Sequence, residues 1–217
     1  MLKNEVLKTL ATAIIVISFI MAFAIYQSPC FPEMMASHWN IQGQADGYMP
    51  KFWGIFLMPI ISAFLFSLFV FLPKIDPLKE NYQGFRKYYD GFIFLVIAFL
   101  FYLYLLTILW NYDLRFNMAK LIIPAMAVLF YYVGILLENA KRNWFVGIRT
   151  PWTLNNDLVW DKTHKLGARL FKIAGIIGLL GFFLPDYAFF LIIIPAISIS
   201  LFLSAYSYLI HARIARG

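Results

Sequence analysis

Residues 173–210 read IAGIIGLLGFFLPDYAFFLIIIPAISISLFLSAYSYLI, a stretch whose single charge is Asp186. A helix needs about 20 apolar residues to cross the roughly 30 Å hydrocarbon core of a bilayer, so this run is too long for one crossing. Pro185-Asp186 at its middle is a turn signal, and the stretch reads as two spans joined by a tight hairpin. Four more uncharged runs precede it: Leu10–Tyr26, Phe52–Leu72, Gly91–Trp110 and Leu121–Leu137. Lipid offers no water to unpaired peptide groups, so each run closes its own hydrogen bonds as a helix. Continuous rather than alternating hydrophobicity excludes a barrel. The expected fold is an all-α polytopic integral membrane protein with six transmembrane helices and a membrane-surface amphipathic segment before helix 5.

Composition agrees. The chain has 217 residues, 62% of them hydrophobic and 13% charged, and a mean hydropathy of +0.75. Soluble domains carry about twice that charge. A lone Cys30, 12 Gly and 10 Pro exclude a disulfide scaffold and a collagen-like repeat. Leu10–Tyr26 follows Lys3 and Lys8 like a signal peptide, but no small-x-small site follows it, and it reads as a retained first helix. Pro59, Pro124 and Pro195 fall inside spans and mark kinks.

Six spans put both termini and the second and fourth loops on one side. That side holds fifteen of the eighteen Lys and Arg residues; Lys51, Arg115 and Lys120 lie on the other. The positive-inside rule then makes both termini cytoplasmic, in a multi-pass protein of the cell membrane. The net charge of +7 serves orientation and anionic headgroups, not direct nucleic-acid binding.

Two loops are long enough to carry function. The external loop, residues 27–51, contains Glu33, His38, Trp39, Asn40 and Asp46, with Asp46-Gly47 suited to a turn. These five are its candidate functional residues. Phe31, Trp39, Tyr48 and Trp53 are expected as an aromatic belt. Glu33, His38 and Asp46 offer metal ligands, but their spacing matches no zinc pattern and no metal or other cofactor is assigned. The cytoplasmic loop, residues 138–172, contains Asn143, Trp144, Gly147, Arg149, Thr150, Pro151, Trp152, Trp160 and His164. Pro151 disfavours helix at Thr150, so Gly147–Trp152 should be extended or turned. Asn155, Asn156 and Asp157 are N-cap candidates for a helix that begins amphipathic and becomes wholly apolar. On it Trp160 and His164 share a face. Aromatic and basic side chains together suit an inner-leaflet surface or a docking face for a cytosolic protein. Gly175, Gly178 and Gly181 permit close helix packing.

The segment Arg142–Leu154, with Trp160 and Thr163-His164 downstream, resembles the signature of the SdpI family of bacterial and archaeal membrane proteins. Residues 35–51, with His38-Trp39-Asn40, Gly43, Asp46-Gly47 and Lys51, are similar to the uncharacterised domain that often precedes it. The resemblance implies an N-terminal membrane domain, residues 1–72, and an SdpI-like membrane domain, residues 73–217. It also implies immunity: the family's namesake protects a toxin-producing cell from its own secreted peptide toxin. With toxin present, the namesake holds a small transcriptional repressor at the membrane. The partners implied are therefore the bilayer, a secreted peptide toxin sensed by Glu33, His38, Trp39, Asn40 and Asp46 of the external loop, and a cytosolic repressor docked on the cytoplasmic loop, with signal transduction between the two. A small-solute transporter and a metal-dependent membrane enzyme are the alternatives. Against the enzyme, the spans hold no acid, base or His before His211, and His38 lies across the membrane from His164. Against the transporter, the span interiors lack ionisable residues.

Overall fold

A computed structural model describes residues 2–184 and 187–215. The apolar runs are helical, as lipid requires: α1 (Leu2–Tyr26), α2 (Lys51–Ile75), α3 (Arg86–Asn111), α4 (Met118–Asn139) and α7 (Ala188–Ile214). Among the described residues these five helices are long and apolar enough to cross a membrane, α1 from Glu5 onward. α4 starts where Asn117 accepts a hydrogen bond from the Lys120 N–H. Pro59, Pro124 and Pro195 lie inside α2, α4 and α7. The expected turn at Pro185-Asp186 lies outside the described residues, and so does Arg216.

The sixth long helix, α6 (Asp157–Leu179), is charged through its first half. It runs antiparallel to α4, as three close approaches show. Gly134 faces Ala168 and Lys172, Gly175 faces Ala127 and Tyr131, and Gly181, in the short 3-10 turn after α6, faces Ile123. A Cβ on Gly175 would stand 2.7 Å from the Ala127 carbonyl, so only glycine lets the two backbones come this close. Beyond Lys172 the helix is apolar and reaches as deep as the start of α4. Its amphipathic half does not merely lie on a surface: Val159, Trp160, Thr163 and His164 are buried in the protein.

The helices pack in two groups. α1, α2 and α3 pack on one another, α4, α6 and α7 on one another, and α3 against α4 joins the groups. One end of the first group is filled by Tyr82, Phe85, Tyr89, Leu136, Ala140 and Trp160. The other end is filled by Phe31, Met35, Ile55, Phe56, Tyr104 and Ile108.

At that second end the structure adds an element absent from the all-α expectation, a hairpin of β1 (Met34–Trp39) and β2 (Ala45–Pro50). Its register runs from Met34–Pro50 to Trp39–Ala45, with irregularities between Ala36 and His38 and between His38 and Trp39. The strands are too short and polar to form a sheet alone, and the helix ends hold them. Phe31 is buried and Trp39 packs edge-on to Trp110 at 5.7 Å, so neither joins the expected aromatic belt. Tyr48 and Trp53 remain exposed.

Candidate functional site

The loop after α4 is built around one amide. Asn143 is fully buried, and its Nδ2 donates to the Lys141 and Val146 carbonyls at 2.8 and 2.9 Å. Its Oδ1 accepts from the Phe145 and Val146 N–H groups at 2.9 and 2.6 Å. An amide carries both donors and acceptors, so one side chain replaces the pairing that a helix or sheet would give these peptides.

The same loop is tied to the distant α2–α3 connection. Asp76, buried at the end of α2, accepts from the Leu78 N–H at 2.7 Å and from the Trp144 N–H at 2.9 Å. The Tyr82 hydroxyl lies between Asp76 Oδ2 at 3.3 Å and Asn143 Oδ1 at 3.2 Å. Burial, and then the neighbouring Asp76 carboxylate, push its phenol well above the ordinary tyrosine range, so it remains a donor. Asn81 donates to the Arg142 carbonyl at 2.7 Å. Arg142 donates to the Leu154 carbonyl, and its Nε stands 2.7 Å from Asp157 Oδ1. That N–H is not aimed at the carboxylate, which makes the contact an ion pair rather than a hydrogen bond.

α6 closes the site from the other side. Trp160 donates through Nε1 to the Ala140 carbonyl at 2.9 Å and stacks on His164, ring centres 3.8 Å apart. The Ile148 N–H donates to His164 Nε2 at 3.0 Å, so this nitrogen is an acceptor. The proton is thereby assigned to Nδ1, which donates to the Trp160 carbonyl at 2.9 Å. Both ring nitrogens are satisfied with the imidazole neutral, and burial pushes its pKa down to about 4. Gly147 sits against the ring with φ +118°, where a Cβ would run into His164 Nε2. Only glycine reaches that conformation without strain.

Thr150 is extended, as Pro151 requires, and caps a short helix, α5 (Pro151–Asn155). Its hydroxyl accepts from the Thr153 N–H, and Thr153 Oγ1 accepts from the Thr150 N–H. Thr150 Oγ1 also meets Ser207 Oγ of α7 at 3.0 Å. Trp152, expected in extended or turned chain, is instead helical and packs on Tyr208. Asn156 caps α6 through the Leu158 and Val159 N–H groups.

The predicted loop residues therefore divide. Asn143, Thr150, Trp160 and His164 are buried and bonded within the protein. Trp144, Arg149 and Pro151 are exposed, and Arg149 donates to the Trp144 carbonyl at 2.9 Å. Reading the sequence missed Asp76, Asn81 and Tyr82. The available signal was a cluster of polar residues, Asp76 to Gln83, too well furnished for a plain connector.

At the opposite end Asn111, the last residue of α3, grips β1. Its Oδ1 accepts from the Ala36 N–H at 2.8 Å and its Nδ2 donates to the Ala36 carbonyl at 3.0 Å. Asn40 Oδ1 accepts from the Gln42 and Gln44 N–H groups and shapes the hairpin tip. His38 Nδ1 meets Asp46 Oδ1 at 2.5 Å across the strands, with both side chains exposed. Glu33 does not join them: among the described residues no three His, Cys, Asp or Glu side chains gather where a metal could sit. His164 lies at the far end of the molecule from His38.

Comparison with known proteins adds lineage to this geometry. Residues 13–63 match a domain of unknown function (DUF1648). The chain is 25% identical over 182 residues to the immunity protein SdpI of Bacillus subtilis (strain 168), covering 83% of this chain and 84% of that relative. No solved structure matches it. Residues 139–207 match the SdpI/YfhL protein family; they hold the Asn143 loop, α5, α6 and most of α7 of this multi-pass membrane protein.

Proposed function

We propose that the chain is an immunity protein of the cell membrane, non-enzymatic, that protects its host against a secreted peptide toxin. The observation that carries this reading is the similarity to an immunity protein along 83% of the chain. The asymmetry of basic residues supports cytoplasmic termini and a cytoplasmic 138–172 loop. On this reading the hairpin faces outward and meets the toxin with Glu33, His38, Asn40 and Asp46, while Trp39 supports the hairpin from below.

The cytoplasmic loop then serves as the docking face for a transcriptional repressor. Trp144, Arg149, Pro151 and Trp152 are its contact residues. Asn143, Gly147, Thr150, Trp160 and His164 hold them in position. Toxin transmits a signal only by binding two conformations with different affinity, and the helix packing between the hairpin and the Asn143 loop is the path available to it.

The test is toxin challenge of a sensitive strain carrying the wild-type gene or a His38→Ala, Asp46→Ala double variant. Wild type should restore growth, and the double variant should lose about tenfold in tolerated toxin at equal membrane abundance. Equal protection by both would refute the sensing hairpin, and no protection by wild type would refute immunity itself.

A further inference from the structure

The seam between the two helix groups holds a cavity of about 430 Å³, inside the range of about 300–1,000 Å³ that small ligands occupy. Its walls are apolar: Phe69 and Leu72 of α2, Phe92 of α3, Phe171 of α6 and Leu203 of α7, with the 145–150 loop at one end. The hydroxyls that reach it are already engaged. Tyr89 donates to the Phe69 carbonyl, Ser200 to Ala196, Ser204 to Ser200, and Thr150 pairs with Ser207. With these hydroxyls engaged, the helical walls ask for no polar guest, and water needs two to four polar partners to stay. Left empty, such a space forfeits the dispersion contacts of its lining.

The rim differs from the interior. Arg149 lines the cavity yet is exposed. It spends one N–H on the Trp144 carbonyl, and among the described residues no carboxylate pairs with it. The rim also lies at headgroup level, because Leu72 and Leu137 line the cavity within a turn of the ends of α2 and α4. On the proposed orientation this is the basic, cytoplasmic face. α2 and α7 both border the cavity, but α2 packs on α1 and α3 while α7 packs on α4, α5 and α6.

We propose that this cavity is a phospholipid site: one acyl chain of an anionic phospholipid fills the apolar seam, and its phosphate rests on the Arg149 guanidinium. A planar guanidinium suits phosphate, and basic pockets between membrane helices on the anionic leaflet recognise such headgroups. The lipid would complete the packing between the two helix groups, bridging α2 and α7 beneath the Asn143 loop.

The test is native mass spectrometry of the purified full chain in micelles with equimolar dioleoylphosphatidylglycerol and dioleoylphosphatidylcholine. One phosphatidylglycerol should be retained per chain, preferred about tenfold, equivalent to about 1.4 kcal/mol, and it alone should raise the melting temperature. Arg149→Gln should remove the preference. Ser200→Phe, at an exposed lining position, should cut retention of both lipids while leaving Arg149 in place. Equal retention of both lipids by wild type would overturn the proposal. Displacement of the lipid by inorganic phosphate would reduce the site to a free-anion site and overturn it too. Loss of preference in Arg149→Gln with full retention in Ser200→Phe would place only the headgroup and refute the buried chain. The wild-type melting shift decides the matter independently of how either variant folds.

Discussion

At His164 a side chain that looks like chemistry is used as a fixed wedge. Its imidazole is held neutral by a donor on one nitrogen and a carbonyl on the other, and its pKa is lowered to about 4. In the unfolded chain the ordinary value is about 6.5, so below that pH the unfolded state takes up protons the folded state refuses. Stability from this group is therefore complete above pH 6.5 and is lost as the pH falls toward 4. At pH 5 the loss should be about 2 kcal/mol, read as a lower melting temperature in detergent at pH 5 than at pH 7. His164→Gln should show a smaller difference between the two pH values, whatever its absolute stability. Gly147, pressed against the same ring at φ +118°, gives a companion prediction. Gly147→Ala should cost about 1–3 kcal/mol from strain alone, more from the collision with His164, and should lower the melting temperature at every pH. An unchanged melting point would show that the loop reshapes freely.

Among the elements, the hairpin depends most on its neighbours. Two short strands are marginal alone, and Asn111 holds the backbone of Ala36 at both its donor and its acceptor. Asn111→Leu would leave both groups buried and unpaired, at about 1–3 kcal/mol each. Hydrogen exchange across residues 34–50 should then quicken by at least about tenfold, while exchange in α3 stays slow. Equal protection in variant and wild type would mean that the strands hold themselves. α6 depends on its neighbours in a different way. In its first half Trp160 and His164 find their partners in protein, in the Ala140 carbonyl and the Ile148 N–H, while Asp161, Lys162, Lys165 and Arg169 stay exposed.

For the molecule as a whole, sidedness is the property on which the proposed function turns. Cys30 is exposed beside the hairpin and is the chain's single cysteine, which makes it a ready label. A membrane-impermeant maleimide should react with Cys30 in intact cells. A Cys30→Ser, Lys162→Cys variant should react only after permeabilisation, since Lys162 is exposed on the opposite end. The reverse pattern would invert the topology, and with it the assignment of sensor and docking faces.

The helical membrane class was legible in unbroken apolar runs such as 91–110 and 121–137, because a bilayer leaves a long apolar segment one backbone solution. Gly175, Gly178 and Gly181 were legible for the same kind of local reason: their spacing of three residues marks one helix face. Other features depended on residues that meet only in space. Asn143 reads as loop polarity until Tyr82, 61 residues away, is seen on it. Trp144 stays exposed and Trp160 is buried, although both are tryptophans in the same basic stretch. The hairpin was missed because its strands are ordered through Asn111, 75 residues from Ala36. Hydrophobic runs act over a local span of chain, whereas burial of a polar group is settled by whichever distant partner can satisfy it.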